Sequence, residues 1–163
     1  MKYHNITHDD MLNGKGLRVC LWVSGCIHNC LGCHNPTTHD INSGILFDEE
    51  AKEEIFNKLK TDYIDGITLT GGDPLHPNNR EELTLLSKEI KELFPTKTIW
   101  LYTGFTYEVI KDLEIIKYLD VICDSKFDIN KRSNKLKWVG STNQRVIDVK
   151  KSLKQNNIIL LGE

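Results

Sequence analysis

The sequence predicts a single α/β domain with mainly parallel strands. Apolar, β-rich runs alternate with helical patterns along the chain, and no Ser/Pro-rich linker, internal repeat or low-complexity run divides it. Such alternation implies parallel strands joined by right-handed crossovers, in an open layer or a partial barrel. A complete eight-stranded barrel needs about 200 residues or more, and this chain has 163. We therefore expect one domain over residues 1–163, folded as an open α/β layer or as an incomplete TIM-like βα barrel.

The strands are predicted from short runs of apolar residues. The first run, LRVCLWV, is interpreted as a strand buried on both faces. The four clear strands are Leu17–Val23, Gly66–Thr70, Thr98–Thr103 and Asp120–Asp124. Beyond them the signal weakens, and the stretches KLKWVG, RVIDV and IILL are interpreted as further short strands.

Three amphipathic helices are predicted from apolar positions three or four residues apart. These positions are Ala51, Ile55 and Leu59 in the first helix, Leu83, Leu86, Ile90 and Leu93 in the second, and Val109, Ile110, Leu113 and Ile116 in the third. Polar residues that favour the N-cap precede each helix. We expect Asp48 to cap the first, Asn78 or Asn79 the second, and Thr106 the third.

Each predicted strand is followed by a segment rich in Gly, Cys or charged residues. In chain order the segments are SGCIHNC, TGGDP, TGF and DSKF. The carboxyl ends of parallel strands meet at one edge of a sheet, where α/β proteins bind their ligands. The sequence therefore predicts a functional site assembled from these four segments.

The composition is typical of a soluble globular protein, with 39% hydrophobic and 27% charged residues. The formal net charge of −2 gives no basic field for nucleic acid, and no apolar run is long enough to span a bilayer. The first ten residues, MKYHNITHDD, do not resemble a secretion signal. We therefore expect a protein that binds neither nucleic acid nor membrane.

The chain has five cysteines, an odd number, and three of them lie within eight residues. This distribution argues against a secreted disulfide framework. It favours a cytoplasmic protein whose clustered cysteines bind a metal or take part in redox chemistry. Cys20 and Cys123 lie in apolar strands and are interpreted as core thiols.

Cys26, Cys30 and Cys33 form a C-x3-C-x2-C motif, whose short spacing lets a loop place three thiolates around one object. A cube of iron and sulfide has four iron corners, so three cysteines leave one iron open to a small molecule. Zinc bound by the same thiolates and by His28 or His34 is an alternative that the spacing leaves open. A disulfide is disfavoured in a reducing compartment.

The cysteine motif after the first strand, with GGDP after the second, resembles the radical S-adenosylmethionine (SAM) enzymes. A closer resemblance is to the activating proteins of anaerobic (class III) ribonucleoside-triphosphate reductase. The matching stretches are YHNI, LNGKGLRVCLWVSGCIHNCLGCHNP, TLTGGDPLHP, IWLYTGF, DVICDSKF and STNQRVIDV. They extend from Tyr3 to about Leu153, and the combination of GCIHNCLGCHNP with GGDPLHP is far more specific than the cysteine spacing alone.

The resemblance implies a partial barrel of the radical SAM type and an oxidoreductase activity. Cys26, Cys30 and Cys33 would hold a 4Fe-4S cluster, whose open iron binds the amino and carboxylate groups of SAM. One electron would cleave SAM to methionine and a 5′-deoxyadenosyl radical, which takes a hydrogen atom from a glycine of the large reductase subunit. Flavodoxin is the electron donor that the family implies. The alternatives are activation of another glycyl-radical enzyme, such as pyruvate formate-lyase, or a zinc-stabilised binding module without catalysis.

The resemblance also implies residues that bind SAM. In the superfamily an aromatic residue usually precedes the last cysteine, whereas here it is Gly32, so backbone contacts from Gly32, Cys33 and His34 are expected instead. The glycines of the GGDP motif, Gly71 and Gly72, would approach the SAM amino group.

Further candidates follow the second, third and fourth strands. Asp73 of GGDP is expected to accept a hydrogen bond from the SAM amino group. Asp124 and Lys126, at the end of the fourth strand, are candidates for cofactor binding. The Lys126 cation is expected to meet the SAM carboxylate or the incoming glycine loop, and a surface ion pair is the alternative. Other candidates are Tyr102, Thr103 and Gly104 as pocket residues, His28, Asn29, His34 and Asn35 around the cluster, and Asn143, Gln144 and Arg145 with open roles.

Overall fold

The structure, a computed structural model, describes residues 1–162 and contains one mixed sheet with helices. The strands are β1 (Lys2–Asp10), β2 (Arg18–Val23), β3 (Ile45–Leu46), β4 (Gly66–Gly71), β5 (Thr98–Tyr102), β6 (Val121–Asp124) and β7 (Arg145–Asp148). The helices are α1 (Glu49–Leu59), α2 (Arg80–Leu93), α3 (Tyr107–Ile110) and α4 (Val149–Gln155). Short 3-10 turns lie at Pro36–Thr38, Pro77–Asn79, Glu114–Tyr118 and Ile129–Lys131. In this described part, every helix is too short or too polar to cross a membrane.

The sheet is parallel at its centre and antiparallel at its edges. Its strand order is β3-β1-β2-β4-β5-β6-β7. The pairs β2–β4, β4–β5 and β5–β6 are parallel, so the carboxyl ends of these four strands meet at one edge. The remaining pairs, β1–β2, β1–β3 and β6–β7, are antiparallel. The parallel centre follows the predicted strand–helix alternation, while closure into a partial barrel stays a prediction.

Strands β1 and β3 were not predicted from the sequence. Strand β1 is polar and buries only Ile6 of its nine residues, so it has no continuous apolar pattern. The two residues of β3 are exposed. RVIDV does form β7, but KLKWVG forms no strand, and IILL contributes only an isolated bridge between Leu160 and Ile147. These stretches depend on neighbours distant in sequence, which local patterns do not report.

The predicted helices are confirmed in part. Asp48 caps α1 by accepting a hydrogen bond from the backbone N–H of Ala51 at 2.9 Å. Asn79 occupies the N-cap position of α2 without a capping hydrogen bond. Its amide Nδ2 donates to the carbonyl oxygen of Ser24, and its Oδ1, the atom that would accept from the helix, is buried without a partner. The third helix stops at Ile110, and an extended Leu113 separates it from the 3-10 turn that follows.

The two faces of the sheet differ in composition, because successive strand residues point to opposite sides. The helix-covered face carries apolar residues that join the main core, namely Val19, Leu21, Val23, Ile67, Leu69, Ile99, Leu101, Ile122 and Ile147. The opposite face carries mostly polar, aromatic and sulfur-containing residues, namely Arg18, Cys20, Trp22, Thr68, Thr70, Trp100, Tyr102 and Cys123, together with the apolar Val121. We call this second surface the strap face.

Residues 125–144 connect β6 to β7 and pack on the strap face; we call them the strap. Trp138 lies edge-on to Trp100, with ring centroids 4.9 Å apart, and its carbonyl oxygen accepts a hydrogen bond from the Tyr102 hydroxyl. Gln144 holds the strap together, since its Oε1 accepts hydrogen bonds from the N–H groups of Gly140 and Ser141. The strap therefore covers a face that has no helix of its own.

Candidate cofactor site

A cavity of about 350 Å³ lies at the carboxyl ends of the parallel strands. Segments that follow β2, β4, β5 and β6 contribute Cys26, Gly72, Thr103 and Ser125 to its wall. The strap face and the strap supply the aromatic residues Trp22, Tyr102, Phe127 and Trp138. The four polar segments singled out in the sequence thus meet at one place, as their positions after the strands predicted.

All three motif cysteines line this cavity. Cys26, Cys30 and Cys33 are free thiols of intermediate exposure. The Cys33 sulfur accepts a hydrogen bond from the backbone N–H of Asn35 at 3.4 Å and lies 3.4 Å from His39 Nε2. Burial raises the pKa of the Cys26 thiol above its usual value, although backbone N–H groups favour its thiolate.

The donor set fits an iron–sulfur cluster. Three unpaired thiols face one cavity, and cluster cysteines each bind a different iron corner. A single zinc ion requires its thiolate and imidazole ligands to converge within about 2.3 Å of one point. Among residues 1–162, no three His, Cys, Asp or Glu side chains are grouped in that way.

Residues 24–35, which follow β2 and contain the three motif cysteines, are called the cysteine loop, and backbone hydrogen bonds attach this loop to its neighbours. The N–H of Gly25 donates to the carbonyl oxygen of Thr38 at 2.7 Å, and the N–H of Cys26 donates to that of His39 at 3.0 Å. The N–H of Asp73 donates to the carbonyl oxygen of Gly25 at 2.7 Å. The loop is therefore fixed to the segment after β4 on one side and to residues 38–39 on the other.

The two glycines of the GGDP motif have different surroundings. Gly71 has φ +108°, and a Cβ there would lie 2.4 Å from the backbone nitrogen of Val23. Only glycine fits that close approach of β4 to β2. Gly72 lines the cavity, whereas Gly71 does not. The predicted approach of SAM to Gly72 is thus compatible with its position, and Gly71 has a packing role in addition to any contact with a ligand.

The Asp73 carboxylate is hydrogen-bonded to the cysteine loop and to the segments that follow β4 and β5. This carboxylate is buried, and Oδ2 accepts hydrogen bonds from His28 Nε2 at 2.5 Å and from the Thr103 hydroxyl and the Gly104 N–H at 2.9 Å each. Oδ1 accepts from the N–H of Leu75 at 2.8 Å. The hydrogen bond to SAM stays a prediction, while the observed contacts show that Asp73 positions His28 of the cysteine loop.

His28 fits tightly between the strand ends. Its ring lies edge-on to Phe105, with ring centroids 4.6 Å apart. A Cβ added at Gly104 would come within 2.5 Å of the same ring. The His28 side chain is therefore enclosed by the segment after β5 and hydrogen-bonded to the segment after β4, in a position that orients Cys26 and Cys30.

Asp124 and Lys126 do not line the cavity. The fully buried Asp124 carboxylate pairs with Arg145, at 3.0 Å from Nε and 2.6 Å from Nη2, and accepts a hydrogen bond from the N–H of Tyr107 at 2.7 Å. This pairing raises the pKa of the Arg145 guanidinium, which in turn lowers the pKa of Glu108. Asp124 thus forms a largely buried ion pair, rather than the surface pair considered as an alternative, while Lys126 is exposed.

The other candidates are divided between cavity and strap. His34 and Asn35 line the cavity together with Tyr102, Thr103, Gly104 and Gln144. Asn143 does not line it and donates a hydrogen bond to the carbonyl oxygen of Lys126 at 2.8 Å. Gly32 has φ +77° and packs against Ile129, so the residue before the last cysteine borders the strap.

Sequence reasoning missed several residues of the site. His39 lies beside the Cys33 sulfur, six residues further along the chain. Phe127 and Trp138 of the strap also line the cavity. Phe127 lies in the DSKF segment that was predicted as part of the site, although its ring was not singled out, and Trp138 lies in the KLKWVG stretch that was interpreted only as a strand.

The chain matches the family model described as a 4Fe-4S single cluster domain over residues 12–147. That span includes the three cysteines, the strand ends and the strap. The class defined by the fold and the site is therefore a 4Fe-4S single-cluster protein, and its cofactor is an iron–sulfur cluster.

Curated relatives identify the family more narrowly. The chain is 49% identical to the anaerobic ribonucleoside-triphosphate reductase-activating protein of Enterobacteria phage T4, over 90% of this chain and 93% of the relative. It is 41% identical to the protein of that name from Pasteurella multocida (88% and 95% covered) and 38% identical to that of Escherichia coli K12 (90% and 97% covered). The chain belongs to the family of anaerobic ribonucleoside-triphosphate reductase-activating proteins.

Proposed function

We propose that the protein is a radical SAM oxidoreductase that activates the anaerobic ribonucleoside-triphosphate reductase. The observation that carries this proposal is the cavity in which Cys26, Cys30 and Cys33 face the strand ends that contain Gly72 and Thr103. The names of the relatives support the reductase as the target. A partial barrel of the radical SAM type and a cytoplasmic location belong to the same proposal.

Cys26, Cys30 and Cys33 would hold the 4Fe-4S cluster by their thiolates. When bound, the cluster supplies one electron for the cleavage of SAM to methionine and a 5′-deoxyadenosyl radical, which abstracts a hydrogen atom from a glycine of the large reductase subunit. Because the motif offers three thiolates, a bound cluster would keep one position for a small molecule and would act there as a Lewis acid.

The residues of this chain bind and orient the reactants. Glycine at position 72 lets the backbone of the cysteine loop lie directly against the end of β4, since a Cβ there would come within 2.5 Å of the carbonyl oxygen of Gly25. Trp22, Phe127 and Trp138 give the cavity apolar walls suited to a nucleoside and to exclusion of water. Asp73 and His28 keep the cysteine loop against these walls.

The first test compares two cysteine variants purified without air. We expect Cys30→Ala to lose iron and SAM cleavage, whereas Cys20→Ala retains both, because Cys20 is buried within β2, away from the cavity lining. Iron, zinc and sulfide analysis separates the cluster from the zinc-binding alternative. A colourless wild-type protein after reconstitution with iron and sulfide would overturn the proposal.

The second test identifies the target enzyme. The reduced protein is mixed with SAM and either the anaerobic reductase or pyruvate formate-lyase, and the glycyl radical is measured by electron paramagnetic resonance. We expect the signal with the reductase only. A signal with pyruvate formate-lyase alone would leave the radical chemistry intact and change the target.

A further inference from the structure

The strap concentrates positive charge on a chain that is otherwise acidic. Residues 126–137 carry five cations and one carboxylate, a net charge of +4, whereas the whole chain has −2. The remaining residues therefore carry −6. The cations of the strap are Lys126, Lys131, Arg132, Lys135 and Lys137. Such separation of charge produces a directed field that steers an oppositely charged partner.

The strap cations are available to a partner. All five are exposed, and none forms an ion pair with another residue in the range 1–162. The one carboxylate of the segment, Asp128, accepts a hydrogen bond from the N–H of Asn130 within its own turn. Lys137 lies 5.2 Å from the centre of the Trp138 ring, a neutral partner.

The strap lies directly against the cysteine loop. The Ile129 side chain packs close to Gly32: a Cβ added at Gly32 would lie 2.7 Å from Cδ1 of Ile129. The Phe127 ring is 5.9 Å from that of His34 and lines the cavity. Gly32 and His34 flank Cys33, so a protein bound to the outside of the strap would be near a ligand of the cluster.

Two exposed apolar residues lie at this junction. Leu31 is 78% exposed and Ile129 is 40% exposed, and Gly32, which contacts Ile129, is the neighbour of Leu31. An apolar centre beside charged residues is the usual composition of a protein interface. Transient electron-transfer complexes need only a small area of this kind.

We propose that the strap is the docking surface for an acidic protein electron donor, an inference that rests on the proposed function. The donor's reduced flavin would lose one electron and the cluster would gain it, with no bond formed or broken. Trp138, Val139 and Gly140 face the cavity while the cations are exposed, so an electron donor can bind without entering the cavity. The glycine of the reductase, by contrast, must reach the inside.

The test uses charge reversal with a matched control. The strap variant carries Lys131→Glu, Arg132→Glu and Lys135→Glu, and the control carries Lys150→Glu, Lys151→Glu and Lys154→Glu on α4. Both change the net charge by the same amount. Reduced flavodoxin is the probe. Reduction of the cluster is followed by absorbance at 50 and 300 mM salt, and the affinity of flavodoxin for each variant is measured by calorimetry. Dithionite, a small reductant, reports cluster reduction without docking.

We expect the strap variant to be reduced by flavodoxin at least about tenfold more slowly at low salt, with little salt dependence left. The control should stay within about twofold of the wild type, and all three proteins should react equally with dithionite. Unchanged reduction and affinity of the strap variant would overturn the proposal, as would an equal loss in the control. Normal reduction by flavodoxin but failed activation of the reductase would assign the strap to the reductase instead. Failure of the wild type to cleave SAM even with dithionite would refute the proposed function separately.

Discussion

The two faces of the sheet differ in the residues they carry and in what those residues do. On the helix-covered face, strand residues such as Leu21, Leu69 and Leu101 are at most 1% exposed and pack against α1 and α2 in one apolar core. On the strap face, Arg18, Thr70 and Tyr102 alternate with them along the same strands. The comparison shows that one face supplies stability, while the other supplies polar and aromatic groups to a cavity at the strand ends.

The strap face also differs along its length. At the amino ends of the strands, the buried Arg18 donates hydrogen bonds to the hydroxyls of Thr68 and Thr98 and to the carbonyl oxygens of Lys15, Ile67 and Thr98. Burial without a carboxylate partner lowers its pKa to about 10. At the carboxyl ends, the cysteine thiols are partly exposed. The same face is therefore closed by hydrogen bonds at one end and open for chemistry at the other.

The largest effect on stability is expected on the helix-covered face. Ile55→Ala removes a fully buried side chain from the main core and should lower the free energy of unfolding by about 3–4 kcal/mol. Cys30→Ala, on the loop at the cavity, should change it by less than about 1 kcal/mol. Urea unfolding of the cluster-free protein measures both. Equal losses would show that the loop, too, stabilises the fold.

The next effect is expected at the amino ends of the strap face. Arg18→Met leaves three carbonyl oxygens and two hydroxyls without their donor, so we expect a loss of about 2–3 kcal/mol in the free energy of unfolding. Lys135→Met at an exposed strap position is the control and should change it by less than about 0.5 kcal/mol. An Arg18 variant as stable as the control would mean that water replaces these hydrogen bonds.

A smaller loss of stability, with a change at the cofactor site, is expected for Asp73→Asn. The amide cannot accept from all four donors as the carboxylate does, so the free energy of unfolding should fall by about 1–2 kcal/mol. The released His28 should also lower the iron retained after reconstitution and broaden the cluster's paramagnetic signal. Asp62→Asn, at an exposed position, is the control. A loss of stability with unchanged iron content and unchanged signal would show that Asp73 stabilises the fold without positioning the cysteines.

The effect that is smallest at neutral pH, because it develops only above pH 9, is expected in the pH dependence of stability. Burial raises the pKa values of Cys20 and Cys123 from 9.0 to about 12. Between pH 9 and about pH 12, the unfolded chain loses both thiol protons and the folded chain keeps them. The free energy of unfolding should therefore fall as pH rises, by at most about 1.4 kcal/mol per pH unit for each thiol.

Replacement of both buried thiols by alanine should flatten this decline, and Ser87→Ala, which removes a buried group that does not titrate in this range, should leave it in place. Unfolding under reducing conditions at pH 8 to about 11 measures it. A decline of the same slope in the double variant would assign the effect to other groups, among them Tyr102, whose pKa burial also raises.

Much of the fold was predictable because, in most strands and helices, the local spacing of apolar residues matches which residues are buried in the folded protein. β2, β4, β5 and β6 are continuous apolar runs, and Ala51, Ile55 and Leu59 have helical spacing. Where the two do not coincide, prediction failed. β1 is polar because it buries a single residue, and the Asn79 side chain bonds to Ser24, a residue 55 positions away, instead of its own helix.

The site was predictable to the same extent. The cysteine spacing and the segments after the strands located the cavity correctly, because parallel strands bring their ends together. The partners of individual side chains were less predictable. Asp73 lines the cavity, as expected of a residue near the cofactor, but the sequence did not show that its carboxylate also accepts hydrogen bonds from four protein donors. Asp124 is paired with Arg145 of the neighbouring strand β7, 21 residues further along the chain.

By itself the sequence determined the chemical inventory: three thiols at short spacing, glycines where strands end, and apolar runs that alternate between strand and helix. Only the tertiary structure decided which groups remain free to react and which are used in packing. The reason is that a side chain's role depends on the donors, acceptors and charges around it after folding, and residues far apart in the chain supply most of these.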